Sequence, residues 1–212
     1  MNESLPGLDD SADFNAAGKP ETLVIACGAL ARELMDIIKL NRFSHMAVTC
    51  LPAIWHNTPE KITEGVRGKI IANRDKYSKI LCLYGDCGTG GTLDMMLEEE
   101  GVERIEGTHC YAFYAGLPEF DALMEEELGS FFLTDYLARF FDRLIIQGFK
   151  LEKHPELRDM IFGHYKRLVY LTQVHDQSLV EKAQAAADYL KLDLVIRPVG
   201  YGIIPEFLKR AA

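Results

Sequence analysis

Short apolar runs along the chain alternate with stretches in which apolar residues recur every three or four positions. TLVIAC (Thr22–Cys27) is apolar on both faces, the pattern of a strand buried in a parallel sheet. A helical pattern follows over about residues 29–40, and then a second strand-like run, MAVTCL (Met46–Leu51). Thr58-Pro59-Glu60 has the order of an N-cap followed by proline at the first helical position, and Ile62, Val66 and Ile70 then share one stripe. Gly65 and Gly68 weaken that helix by roughly 1 kcal/mol each. KILCLYG (Lys79–Gly85) is the clearest strand, and a Gly-rich turn leads from it into a helix over about Thr92–Glu100. RIEGTHC (Arg104–Cys110) is a weaker strand. From about Ala112 to Gly163 the pattern is mostly helical. Its best segment, Asp135–Gln147, has a wide apolar face of Tyr136, Leu137, Phe140, Phe141, Leu144 and Ile145 between a Thr134 cap and a Gly148 stop. RLVYLTQ (Arg167–Gln173) returns to strand. Ser178 and Glu181 have capping-box spacing for a helix to about Leu190, LDLVIR (Leu192–Arg197) is the last strand, and a short helix follows Pro205.

Strands separated by helices, with runs apolar on both faces, predict an α/β fold. The expected architecture is a mostly parallel sheet with helices on both faces, Rossmann-like and three-layered, with right-handed crossovers. In such open sheets ligands bind beyond the carboxyl ends of the strands. Residues 1–20 show no hydrophobic period and read as a flexible tail, and residues 21–212 as a single α/β domain.

Composition narrows the function classes. The 212 residues are 48% hydrophobic and 26% charged, an ordinary globular balance. The net charge of −9 repels phosphate backbones, so nucleic acid is not an expected partner. No apolar run approaches the roughly 18 residues that span a bilayer, and the start lacks the basic-then-apolar order of a secretory signal. The expected address is cytoplasmic, with no membrane partner. Five cysteines are an odd number and too sparse for a disulfide scaffold.

Three of those cysteines sit at expected strand ends: Cys27, Cys87 in the turn Gly85–Gly91, and Cys110. Parallel neighbouring strands would gather them on one rim, with His109 or His56 as an adjacent imidazole. Thiolates with one imidazole suit a borderline cation, above all zinc, which takes sulfur at about 2.3 Å and nitrogen at about 2.0–2.1 Å. Iron or an iron–sulfur cluster is a lesser candidate, because the spacings match no standard run. Equally, free cysteines are often small buried fillers, and Cys50 and Cys82, inside strand runs, are read that way. The Gly-rich turn has a second reading. Gly88, Thr89, Gly90 and Gly91 could offer backbone N–H groups to an anionic cofactor or substrate, and Cys87 there could be a catalytic nucleophile. A tight turn needing glycine for positive φ is the plain alternative. Arg32 and Glu33 could face the rim, and Tyr111, Phe113 and Tyr114 could wall a pocket for a small-molecule ligand. His175-Asp176, His45, His154, His164 and the runs Glu98–Glu100 and Glu125–Glu127 read as surface or capping residues.

Ala26-Cys27-Gly28-Ala29-Leu30, Tyr84-Gly85-Asp86-Cys87-Gly88-Thr89-Gly90 and His109-Cys110-Tyr111 together resemble domain-of-unknown-function family sixteen thirty-eight. Phe132-Leu133-Thr134-Asp135 and Tyr165–Leu171 extend the resemblance over about residues 21–200. The family brings no assigned activity. The resemblance implies the company of corrinoid-dependent methyltransferases for methylamines and betaines, hence a possible methyltransferase partner; it is an association and not a mechanism. The chain lacks the Asp-x-His-x-x-Gly pattern of a cobalamin-binding domain. The leading expectation is a Cys/His metal site on the sheet's carboxyl rim. The alternative is a metal-free cysteine hydrolase or transferase using Cys87.

Overall fold

The computed structural model describes residues 13–14, 20–126 and 129–210. Most of the expected tail, residues 1–12 and 15–19, lies outside the described residues. In chain order the elements begin with β1 (Asp13–Phe14), β2 (Thr22–Cys27), α1 (Ala31–Asn41), β3 (Met46–Leu51), α2 (Glu60–Asn73), β4 (Lys79–Leu83), α3 (Thr92–Glu100) and β5 (Glu103–Arg104). They continue with α4 (Cys110–Ala115), α5 (Leu117–Glu126), β6 (Ser130–Thr134), α6 (Asp135–Arg139), α7 (Glu156–Phe162), β7 (Arg167–Thr172), α8 (Gln177–Leu190), β8 (Asp193–Pro198) and α9 (Ile204–Arg210). The chain divides into two compact units. One runs to Phe113 and resumes at Ile203; the other is Tyr114–Gly202.

The first unit holds a five-stranded sheet in the order β1-β3-β2-β4-β5. β2 pairs in parallel with β3 and β4, β4 in parallel with β5, and the two-residue β1 runs antiparallel to β3. Leaving β2, the chain crosses to β3 on one side and then returns past β2 to β4 on the other. With right-handed crossovers, that reversal sets α1 on one face and α2 and α3 on the opposite face. On the latter face Leu23, Ile25, Ala47, Leu51, Cys82 and Tyr84 form one core with Ile62, Val66 and Ile70 of α2 and Leu93, Met96 and Leu97 of α3. The alternate residues Val24, Ala26, Val48, Cys50, Leu81 and Leu83 are buried as well, as are Leu34 and Ile37 of α1. The α/β class and the doubly covered parallel sheet are therefore as the pattern predicts. The strand order adds a topological switch point. The crevice lies between the carboxyl ends of β2 and β4, where doubly wound sheets bind their ligands.

The second unit holds a three-stranded parallel sheet in the order β6-β7-β8. Its core joins Leu133, Leu168 and Tyr170 of the strands to Leu179, Ala183 and Ala187 of α8 and to Phe141, Ile145 and Phe162. β6 lies inside the stretch expected to be helical. Gly129 stands just before it at φ +76°, and Phe132 pairs opposite Val169 of β7. The helix expected over Asp135–Gln147 is instead α6 followed, after a break at Phe140, by a π-helical segment over Asp142–Gln147. Thr134 caps α6 as expected, its hydroxyl accepting from the Leu137 N–H at 3.3 Å. Two other caps differ. Thr58 gives α2 no side-chain cap, and α8 is capped by the Asp176 carboxylate on the Ser178 N–H at 2.9 Å. No described helix is long and apolar enough to cross a membrane.

Candidate functional site

The rim of the first sheet is built by four segments that leave its carboxyl ends. β2 ends at Cys27, which is extended (φ −67°, ψ 138°) and opens a 3-10 turn over Gly28–Leu30. The β2–β4 register pairs Ala26 with Leu83, so Cys27 comes beside Tyr84, the first residue after β4. Tyr84 is buried there, its hydroxyl without a hydrogen-bond partner among the described residues. β4 then gives way to the turn Gly85–Gly91, and the chain beyond β5 returns to meet it. A Cβ on Gly85 would stand 2.8 Å from the Thr108 carbonyl oxygen and 3.0 Å from the His109 backbone, so only glycine permits this approach. Two residues on, the Cys87 N–H donates to the same Thr108 oxygen at 3.0 Å. The cysteine of one loop is thus laced to the His109-Cys110 segment of the other.

Arg104 shapes that second loop. Its guanidinium donates to the carbonyls of Tyr84 (3.1 Å), Ile105 (3.0 Å) and Gly107 (2.9 Å) and forks onto Asp94 (2.6 and 3.0 Å). This is why the strand expected over Arg104–Cys110 is only Glu103–Arg104: the chain turns through Gly107, at φ +132°, and Cys110 opens α4 instead of ending a strand. The fourth segment, Pro52–Pro59, carries His56, and Pro59 lies under the Gly88 position at 3.3 Å.

The electrostatics match this convergence. Burial raises the Cys27 thiol, opposed by the Ala29 N–H. Burial, reinforced by Cys27, pushes Cys87 up to about 12 despite the Gly85 N–H. Cys110 is held well above the ordinary thiol range by burial and then by Cys87 and Cys27. The three sulfurs therefore feel one another. His56 is lowered by burial and by His109, and His109 is lowered by burial, with Asp86 opposing. Both imidazoles are neutral at pH 7, the form that ligates or accepts a proton. All five cysteines are free thiols. Among the described residues, no group of three or more His, Cys, Asp or Glu side chains is already set in a metal-holding arrangement.

The Gly-rich turn already holds a carboxylate of its own. Asp86 accepts from the Thr89 hydroxyl at 2.7 Å and from the N–H groups of Gly91 (2.8 Å) and Gly90 (3.3 Å). Burial raises its pKa, but those donors and the Gly88 N–H outweigh it and the net shift is downward. Cys87 sits in the left-handed region at φ +49°, beside Gly88, Gly90 and Gly91, all at positive φ. Cys50 and Cys82 are core residues, as their position inside strands predicts. Glu33 is buried at the start of α1 while Arg32 is exposed. Phe113 and Tyr114 are buried, and the Tyr111 ring stands 6.4 Å from that of His109. Asp176, beyond its cap, and the His154–Glu156 contact at 3.3 Å belong to the second unit's surface. The residues that sequence reasoning missed are Tyr84, hidden in an apolar strand run, and Arg104, whose role depends on folded carbonyls.

The family described as a protein of unknown function (DUF1638) matches residues 50–208, most of the chain. The chain belongs to this family. Cys87, His109 and Cys110 lie inside the matched span, whereas Cys27 precedes it. No curated protein and no solved structure matches the chain.

Proposed function

We propose that the carboxyl rim of the first sheet binds a metal ion through Cys27, Cys87 and Cys110, with His109 or His56 completing the set. Zinc suits this set best; iron is the lesser candidate. The observation that carries the reading is the Cys87 N–H bond to Thr108, which ties two cysteine-bearing loops together beside the switch point where Cys27 ends its strand. Three neutral thiols held in one another's fields are a poor arrangement for ionisation until a cation stands among them. A divalent ion reverses the sign of each interaction and deprotonates its ligands outright. Three protein ligands leave a fourth position for water, a thiol or another small-molecule ligand, which the ion would activate as a Lewis acid. The company of corrinoid methyltransferases that the resemblance implies would fit a cytoplasmic role in one-carbon (methylamine or betaine) metabolism, as an enzyme or as a methyltransferase's accessory. Elemental analysis of untagged protein tests the reading. We expect about one zinc per chain, falling below about 0.2 in each of Cys27→Ser, Cys87→Ser and Cys110→Ser. Wild-type protein below that level, with every thiol freely alkylated, would contradict it.

A second reading is favoured by one observation. Cys87 is a non-glycine residue at φ +49° on a strand-to-helix turn, a costly conformation of the kind that gathers at reactive positions. A metal-free nucleophile there predicts a single hyper-reactive thiol, and loss of activity in Cys87→Ser alone.

A further inference from the structure

β8 is an outer strand of the second unit's sheet. It pairs in parallel with β7, and among the described residues no strand lies on its other side. The Asp193 N–H donates to the Lys166 carbonyl at 3.1 Å, and beyond the strand's far end the Val199 N–H donates to that of Thr172 at 3.0 Å. Backbone groups alternate in direction along a strand, so the odd-numbered residues of β8 bond towards β7. Leu194 and Ile196 therefore aim their N–H and C=O groups at the open edge. Edges that must stay unpaired are blunted by a proline, a bulge or a charge within the strand. β8 has Pro198 only at its end, and its centre is Leu194-Val195-Ile196, the first two half-buried and Ile196 39% exposed.

We propose that a second copy of this chain adds its own β8 to this edge, antiparallel and centred on Val195, so that the two sheets become one continuous sheet. β8 is complementary to itself about that residue. The exposed Asp193 comes opposite the partner's exposed Arg197, Leu194 opposite the partner's Ile196, and the two Val195 side chains meet on the axis. Opposite charges directly across a ladder attract, and apolar pairs pack. Leu194 and the partner's Ile196 exchange both backbone bonds, and the two-fold axis repeats the exchange. Other registers that keep the side chains on matching faces fail. Centred on Leu194, Arg197 comes opposite Lys191; centred on Ile196, Leu194 faces Pro198, which has no N–H to donate. Centred on Asp193 or Arg197, like charges meet on the axis.

Sedimentation velocity of the full chain at rising concentration tests this. The wild type should pass from monomer to dimer. Asp193→Arg and Arg197→Asp should each weaken the dimer about tenfold or more, because the symmetry places every change in two pairs. The double variant, which exchanges the charges, should return to within about threefold of wild type. Amide hydrogen exchange of the wild type needs no variant, so the proposal stays falsifiable if a charge reversal fails to fold. The Leu194 and Ile196 amides should slow by about tenfold as the dimer fills, while those of Val195 and Arg197, directed at β7, keep their rates. A wild type that stays monomeric to millimolar concentration, leaving the edge to a strand of another protein, would overturn the proposal. So would a dimer indifferent to both charge reversals, a double variant no tighter than the single ones, or a dimer whose Leu194 and Ile196 amides exchange as fast as the monomer's.

Discussion

At the scale of single residues, the rim combines strain with uncompensated burial. Cys87 holds a left-handed conformation that glycine adopts freely, so metal-free Cys87→Gly should be more stable than Cys87→Ala by about 1 kcal/mol. Denaturant unfolding of the two variants measures the difference. Burial raises all three thiols, and Cys87 and Cys110 are raised further by their thiol neighbours, so metal must displace protons that ordinary thiols hold less firmly. Apparent zinc affinity should therefore climb with pH, by up to about tenfold per pH unit for each proton released. Calorimetry in buffers of different ionisation enthalpy counts those protons. The imidazoles act in the same direction on the apo chain. His56 and His109 titrate below the ordinary 6.5, so the unfolded chain takes up protons first as pH falls. Their contribution to stability is full above that value and is lost progressively beneath it. Melting curves from pH 7.5 to 5 should show the decline, and His56→Gln should flatten it.

At the scale of elements, two contacts decide whether the parts stay in place. Gly85→Ala would drive a methyl group into the Thr108 carbonyl and the His109 backbone, spreading the loops that carry Cys87 and Cys110. The variant should melt earlier and bind zinc at least about tenfold more weakly, the size of loss expected when support around a ligand is disturbed. In the second unit, buried Asp135 joins the end of β6 to the segment after β7. Its carboxylate accepts from the Tyr170 hydroxyl at 2.6 Å and from the N–H groups of Gln173 (3.2 Å) and Val174 (3.0 Å). Asp135→Ala strands all three donors and should cost roughly 3 kcal/mol in denaturant unfolding. The inner strands of the first sheet were legible because they are apolar on both faces, and Thr22–Cys27 and Met46–Leu51 stand as their runs predict, whereas β1, Asp13–Phe14, falls in the stretch expected to be a tail. β6 was not, because three apolar residues at Phe131–Leu133 fit a helix as well as a strand until β7 offers its hydrogen bonds. The last expected strand residues after Arg104 failed for the opposite reason: a side chain drew the backbone carbonyls away from the ladder.

At the scale of the whole molecule, the two mostly parallel sheets agree with the α/β class predicted from periodicity. Cysteines at strand ends could be seen in the sequence, but their convergence depends on strand order, which local pattern does not encode. The order β3-β2-β4-β5 makes β2 and β4 neighbours, which sets Cys27 at the end of one beside the turn that carries Cys87 after the other. Tyr84 stayed hidden for a related reason, since its neighbour Cys27 lies 57 positions away in sequence and only the register sets them side by side. X-ray absorption at the zinc edge, on untagged protein dialysed after purification, tests the central claim most directly. The account predicts about three sulfur atoms near 2.3 Å and one nitrogen near 2.0 Å around each ion. A shell of oxygen and nitrogen only, or a chain that retains no metal through dialysis, would contradict it.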